Sequence, residues 1–254
     1  MSPMKQSFWQ SPLTRSSVPK DKVTTPETLL GYLIGPFGAL LSSGIFTSYL
    51  QVYLGKALEL SSAYLSILQL VSTFLIVAAN LIVGQLIERT RTMAGKARPW
   101  LLLSALTLSV ASVLMFIMPF EGTARYVWIA IAYNLYYAVA YPIYNTANAT
   151  MVPVSTRDSE KRSVLASMSN FAGLGVMGAG SMVFPVLMTM FLSTTNEVGE
   201  TVYTGFGTQW FVIMLAVAIF TALTVILQFK FTRERVTEAV SYTHLRAHET
   251  TLHL

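Results

Sequence analysis

The side chains able to do chemistry are unevenly placed in this sequence. Cysteine is absent, and the three histidines, His244, His248 and His253, all lie within the last fifteen of the 254 residues. Thiolate nucleophiles, disulfides and imidazole metal sites or proton relays are therefore excluded from residues 1–239. Two groupings remain. One is charged: Glu88, Arg89, Arg91, Lys96 and Arg98 surround Gly95 in the segment IERTRTMAGKARPW. Glycine lets the chain turn there, Pro99 suits the first turn of a following helix, and such charges can pair with helix ends in one conformation and release them in another. A plainer reading of the same bases is that they fix membrane topology. The other grouping is neutral. At 100° per residue, Tyr126, Tyr133, Tyr137, Tyr141, Tyr144 and Asn148 fall within about 80° of arc, with Asn134 and Asn145 adjoining. Lipid cannot satisfy hydroxyls and amides on one face, so that face should turn toward a water-filled cavity or bind neighbouring helices together.

The elements that must hold these groups are apolar. The chain is 53% hydrophobic and 11% charged, where a soluble domain carries about 25% charged residues. Six stretches, approximately 29–54, 63–87, 99–120, 126–152, 164–192 and 210–228, contain no Asp, Glu, Lys or Arg. Each is long enough to cross a hydrocarbon core of about 30 Å as a helix. The expected fold class is an all-α membrane protein with six transmembrane helices, preceded by an N-terminal arm over residues 1–28. With no Asp, Glu, His, Cys or Lys inside a span, and the Ser, Thr and Tyr hydroxyls there left without a partner base, an enzyme is not expected.

The charges set the orientation. Fourteen Lys and Arg residues fall in the N-terminal arm, the second and fourth connections and the segment after the last span, against Lys56 and Arg125 on the opposite side. By the positive-inside rule both ends are cytoplasmic, and the basic balance is topological and does not point to nucleic acid. Glu27 and Pro26 suit a first helical turn. Gly35, Pro36 and Gly38 can bend the first helix and Pro142 the fourth, while Gly173, Gly175, Gly178 and Gly180 offer close packing on the fifth. The tail VSYTHLRAHETTLHL from Val240 matches the in-frame translation of a common transposase sequencing adapter, so residues 240–254 are read as non-native and 236–239 as a truncated linker.

Several motifs together resemble the glycoside-pentoside-hexuronide:cation symporters, a branch of the major facilitator superfamily. Arg89-Thr90-Arg91, Gly95 and Arg98-Pro99-Trp100 are similar to that family's second cytoplasmic loop. Gly35-Pro36-Phe37-Gly38 resembles the start of its first helix, and Glu121-Gly122-Thr123 the turn before its fourth. Met151-Val152-Pro153 with Asp158 and Arg162 resembles the fourth-to-fifth connection. The resemblance covers about residues 29–235. It implies the N-terminal half of a twelve-helix fold in the cell inner membrane, and a sugar or glycoside:cation symporter working by alternating access. The implied partners are a small-molecule solute, the lipid bilayer and the missing C-terminal half. The resemblance also implies a cavity lined by the first and fourth helices, with Tyr137, Tyr141, Asn145 and Asn148 as substrate-binding candidates, and conformational loops containing Glu88, Arg89, Arg91, Gly95, Arg98, Asp158 and Arg162.

The departures fall on the family's charges. Its acids align with Leu40, Ile76, Asn80 and Asn145, and its fifth-helix arginine with Asn170. Asn80 is left as a remnant of the cation site, able to offer a carbonyl oxygen. No cofactor or metal is expected, and Na+ or H+ coupling finds no acid in this half. Two other readings stay open: a facilitator of the same fold carrying a lipid or other non-sugar solute, and a six-helix membrane subunit that transports nothing.

Overall fold

The computed structural model describes residues 9, 11, 14–196, 199, 201–203 and 208–236. Residues 240–254 lie outside them. Four helices are long and apolar enough to cross a membrane: α1 (Glu27–Ala57), α2 (Ser62–Arg89), α5 (Ser159–Phe191) and α6 (Thr208–Lys230). A shorter apolar helix, α3 (Arg98–Leu114), and a segmented helix, α4 (residues 122–155), complete the described helices. A two-stranded antiparallel hairpin, β1 (Ser193–Thr195) with β2 (Thr201–Tyr203), links α5 to α6.

Local chemistry sets the ends. Ser61 caps α2 by accepting the Tyr64 amide, and Asp158 caps α5 by accepting the Glu160 and Lys161 amides at 3.0 and 3.3 Å. The apolar run expected to carry the third helix to Phe120 stops at Leu114. Pro119 has no amide to donate and turns Met118 away from helical backbone, and the freed Ile117 carbonyl accepts the Trp128 indole at 2.6 Å. At 17 residues α3 is about 26 Å long. In α1 the winding loosens to i→i+5 over Glu27–Ile34, resets at Gly35 and Pro36, and loosens again over Tyr53–Ala57. Pro142 follows a similar widened turn, Leu135–Ala140, within α4.

α1 is the most buried of the long helices and packs against both α5 and α6. Its contact with α6 is backbone-close. A Cβ at Gly35 would lie 2.6 Å from the Gln228 Cβ, and one at Gly38 would run into the Thr221 backbone. The approach lets Thr221 Oγ1 donate to the Gly38 carbonyl at 3.0 Å while the Gly38 amide donates to Thr224 Oγ1 at 3.1 Å. The α5 glycines do not share this role: a Cβ at Gly175 or Gly178 meets nothing within 4 Å. α3 packs against α4 and α6, and α4 also against α2. Phe46, Tyr53, Phe116, Tyr136 and Trp210 form an aromatic core, with Phe46 and Tyr136 stacked at 4.0 Å and Phe116 and Trp210 at 5.9 Å. The outward faces carry large apolar side chains, among them Phe74 on α2 and Leu174 and Met182 on α5, at 72, 80 and 77% exposure. Lipid, unlike water, would not penalise those faces.

Candidate functional site

Two regions gather the polar side chains. The first follows α4. Tyr136 and Tyr144 are fully buried: Tyr136 shares a hydrogen bond with Ser42 of α1 at 3.0 Å, and the Tyr144 hydroxyl lies 3.4 Å from Gln228 Oε1. Gln228, itself buried, donates from Nε2 to Asn148 Oδ1 at 2.6 Å, joining α6 to α4. Tyr137 and Tyr141 are half-buried beside Tyr136, at ring separations of 5.1 and 6.2 Å, and Tyr133 lies 4.6 Å from Tyr137. Asn145 is exposed. The four residues singled out on this helix thus grade from the buried aromatic core to the open side of the bundle. Sequence reasoning missed Tyr136 and Gln228. Tyr136 lies off the polar arc, and its role depends on stacking against another helix.

Asn80 is exposed on α2, and its amide nitrogen donates to the Ile76 carbonyl of its own helix at 2.8 Å. Asn170 is exposed on α5, whereas Leu40 and Ile76 are half-buried. Among the described residues no group of three or more His, Cys, Asp or Glu could hold a metal ion.

The second region lies at the end of the bundle where α1 begins and α6 finishes. The turn before α3 is closed by the Gly95 amide donating to the Thr92 carbonyl at 3.1 Å and Thr92 Oγ1 donating to the Gly95 carbonyl at 2.6 Å. Gly95 has φ +112°, and any Cβ there would collide with the Glu234 carboxylate. That carboxylate accepts the amides of Lys96, Ala97 and Arg98 at 2.8, 2.8 and 2.9 Å, an anion seated on the positive end of α3. Arg98 is buried beneath it, its Nη2 donating to the Phe229 carbonyl at 3.0 Å and its guanidinium 4.5 Å from the centre of the Phe229 ring. Trp100 Nε1 donates to Thr90 Oγ1 at 2.8 Å.

Arg235 binds neighbouring elements together. Its Nη1 and Nη2 meet the buried Glu27 carboxylate at 2.8 and 2.7 Å; Nη1 also reaches the Ser155 carbonyl at 3.1 Å, Nη2 the carbonyls of Pro19 and Lys22 at 2.9 and 2.8 Å, and Nε donates to the Lys20 carbonyl at 3.2 Å. Tyr32 and Ser155 share a short hydrogen bond beside this pair. Glu88 and Arg89, in contrast, are exposed, and Arg91 is exposed with Nη1 donating to the Glu88 carbonyl at 2.6 Å. Arg162 Nη2 donates to the Thr156 carbonyl at 2.9 Å, closing the end of α4, while Asp158 faces Lys161 at 3.6 Å besides capping α5. Sequence reasoning named Gly95 and Arg98 but not Glu234, whose partners lie some 138 residues earlier.

Residues 31–252 match the family described as MFS/sugar transport protein. The chain belongs to this family. Its relatives include a lactose permease of Leuconostoc lactis, 29% identical over 77% of this chain and 30% of the relative. An isoprimeverose transporter of Lactiplantibacillus pentosus is 27% identical over 89% of this chain and 46% of its own length. A putative glycoside/cation symporter of Escherichia coli is 30% identical over 50% and 28%. The chain thus spans less than half the length of these relatives. As a member of the MFS/sugar transport family with several apolar helices, it is a multi-pass membrane protein.

Proposed function

We propose that the chain forms the N-terminal six-helix half of a twelve-helix sugar or glycoside:cation symporter in the cell inner membrane. Both of its ends face the cytoplasm, and a second half supplies the rest of the pathway. The observation that carries this reading is the graded polar edge of α4, from buried Tyr136 and Tyr144 through half-buried Tyr137, Tyr141 and Asn148 to exposed Asn145, in a chain of this family. A pyranose presents hydroxyls and a weakly apolar ring face, which suits tyrosine stacking and amide hydrogen bonds. Binding near the midplane between helices is the usual arrangement in secondary transporters. The relatives named for lactose, isoprimeverose and glycosides favour a sugar over a lipid.

In this reading the Gly95, Arg98 and Glu234 cluster, with Arg162 and Asp158 at the next connection, holds one state of the half and loosens in the other. The exposed Glu88 and Arg89 then lie where a second half can meet them. Neutral residues stand at Leu40, Ile76, Asn80 and Asn145, so coupling to Na+ or H+ rests on carboxylates of that half, with Asn80 contributing at most a carbonyl oxygen.

The test is uptake of radiolabelled lactose and other glycosides by the full-length protein in membrane vesicles, with an imposed Na+ or H+ gradient. Accumulation driven by either gradient, weakened at least tenfold in Tyr141→Ala, is expected. Folded protein that moves no glycoside under any gradient refutes the sugar assignment.

A further inference from the structure

The N-terminal arm and Arg233, in the segment after α6, line an open cleft of about 670 Å³. Its walls are tied at three points: the Ser17 amide donates to the Lys230 carbonyl at 2.9 Å, Ser16 Oγ to the Thr232 carbonyl at 2.9 Å, and Arg233 Nη1 to the Val18 carbonyl at 2.6 Å. The ionised side chains lining it, Arg15, Lys20 and Arg233, are all cations. Nearby acids are engaged elsewhere: Glu27 with Arg235, and Glu234 with the amides before α3. Asp21 follows Lys20 on the exposed surface and is not among the lining residues.

Arg233 is held against the repulsion of neighbouring cations. Arg233 is half-buried, and burial first, then the charges of Arg235 and Arg15, draw its guanidinium below the ordinary arginine pKa, with Glu27 acting the other way. An anion in the cleft would relieve that repulsion, and Arg15 and Lys20, both exposed, can turn toward it. Guanidinium forks match phosphate oxygens bidentately, and the Ser17 hydroxyl on the rim is a further donor. The cleft opens just beyond Lys230, the last residue of α6. In a helix that crosses the bilayer, that level is where headgroups begin.

We propose that this cleft binds a phosphate group, presented by an anionic lipid headgroup or by phosphate in solution. The site is separate from the polar edge of α4 and does not depend on the solute assigned to it. It gives the arm a function besides topology: a bound phosphate would join Arg15 and Lys20 of the arm to Arg233 after α6.

The test uses the chain purified in neutral detergent, with thermal unfolding followed by tryptophan fluorescence during titration with three probes. These are dioctanoyl phosphatidylglycerol, dioctanoyl phosphatidylcholine and inorganic phosphate, the last against chloride at matched ionic strength. A saturable rise in Tm with phosphatidylglycerol alone assigns a lipid headgroup, and a rise with inorganic phosphate assigns the free anion. Either rise should need at least tenfold more probe in Arg15→Gln/Lys20→Gln, whose side chains are exposed and do not tie the cleft walls. Arg157→Gln/Lys161→Gln removes the same charge from another exposed connection and should leave the titration unchanged. The proposal is overturned by no saturable rise with either anionic probe, by an equal rise with phosphatidylcholine or chloride, or by equal weakening in both double variants.

Discussion

At the scale of single residues, the seat of the Glu234 carboxylate depends on the absence of a side chain at Gly95. Gly95→Ala would force a Cβ into that carboxylate and an alanine into positive φ, so it should cost about 1–3 kcal/mol, read as a lowered Tm. Glu234→Gln keeps the shape but loses the charge that makes amide bonds at a helix start strong, and should destabilise by a smaller amount. If Gly95→Ala melts with the parent, the tight fit is not real. Ser72 offers the opposite case. Its hydroxyl is buried with no hydrogen-bond partner among the described residues, so Ser72→Ala should be neutral or stabilising by up to about 1 kcal/mol. Residue chemistry was only partly legible in the sequence. Gly95 and Arg98 announce themselves through local spacing, whereas Glu234, set between Arg233 and Arg235, reads as one more charge beyond a span. Only the tertiary fold brings it to amides far back in the chain.

At the scale of helices, the described elements lie over the apolar runs because length and the absence of charge are strong local signals, and the early stop of α3 at Leu114 follows from Pro119. Which faces meet was not legible. The sequence offers Gly35 and Gly38 of α1 as bend points and the α5 glycines for close packing, yet it is Gly35 and Gly38 that touch backbone, because α6 lies across them while two of the α5 glycines face open space. Gly38→Ala should therefore cost about 1–3 kcal/mol through overpacking, whereas Gly178→Ala, in a helix with room for a Cβ, should stabilise by about 0.4–1 kcal/mol. Thermal melts of the two variants in one detergent decide the matter, and equal effects would contradict the α1–α6 contact. The polar residues along α4 divide similarly. Tyr137, Tyr141 and Asn148 were readable from their shared arc, but Tyr136 and Gln228 acquire their roles from α1 and α4 respectively.

At the scale of the whole molecule, Arg235 ties the arm, α1 and α4 to the segment after α6. Glu27→Gln should cost about 3–5 kcal/mol, because it leaves the Arg235 charge in a buried setting without its counterion. Adding Arg235→Met should recover part of that loss, and a double variant no better than Glu27→Gln alone would mean the pair is not coupled. The large apolar faces of α2 and α5 fit a chain spanning less than half of its relatives' length. Long-read sequencing across codon 239 is expected to continue into further apolar spans, and a genomic stop codon after the present tail would refute that expectation. The same ion pair also bears on how the protein is made. Glu27 precedes Arg235 by 208 residues, a delay of roughly 10–40 s at ordinary translation rates. Through that interval the first helix must wait with an unmatched carboxylate at its start, held in the wet interfacial layer. Its final seating is thus timed by the ribosome, and a nascent chain arrested before codon 235 should leave Glu27 open to carboxyl-modifying reagents.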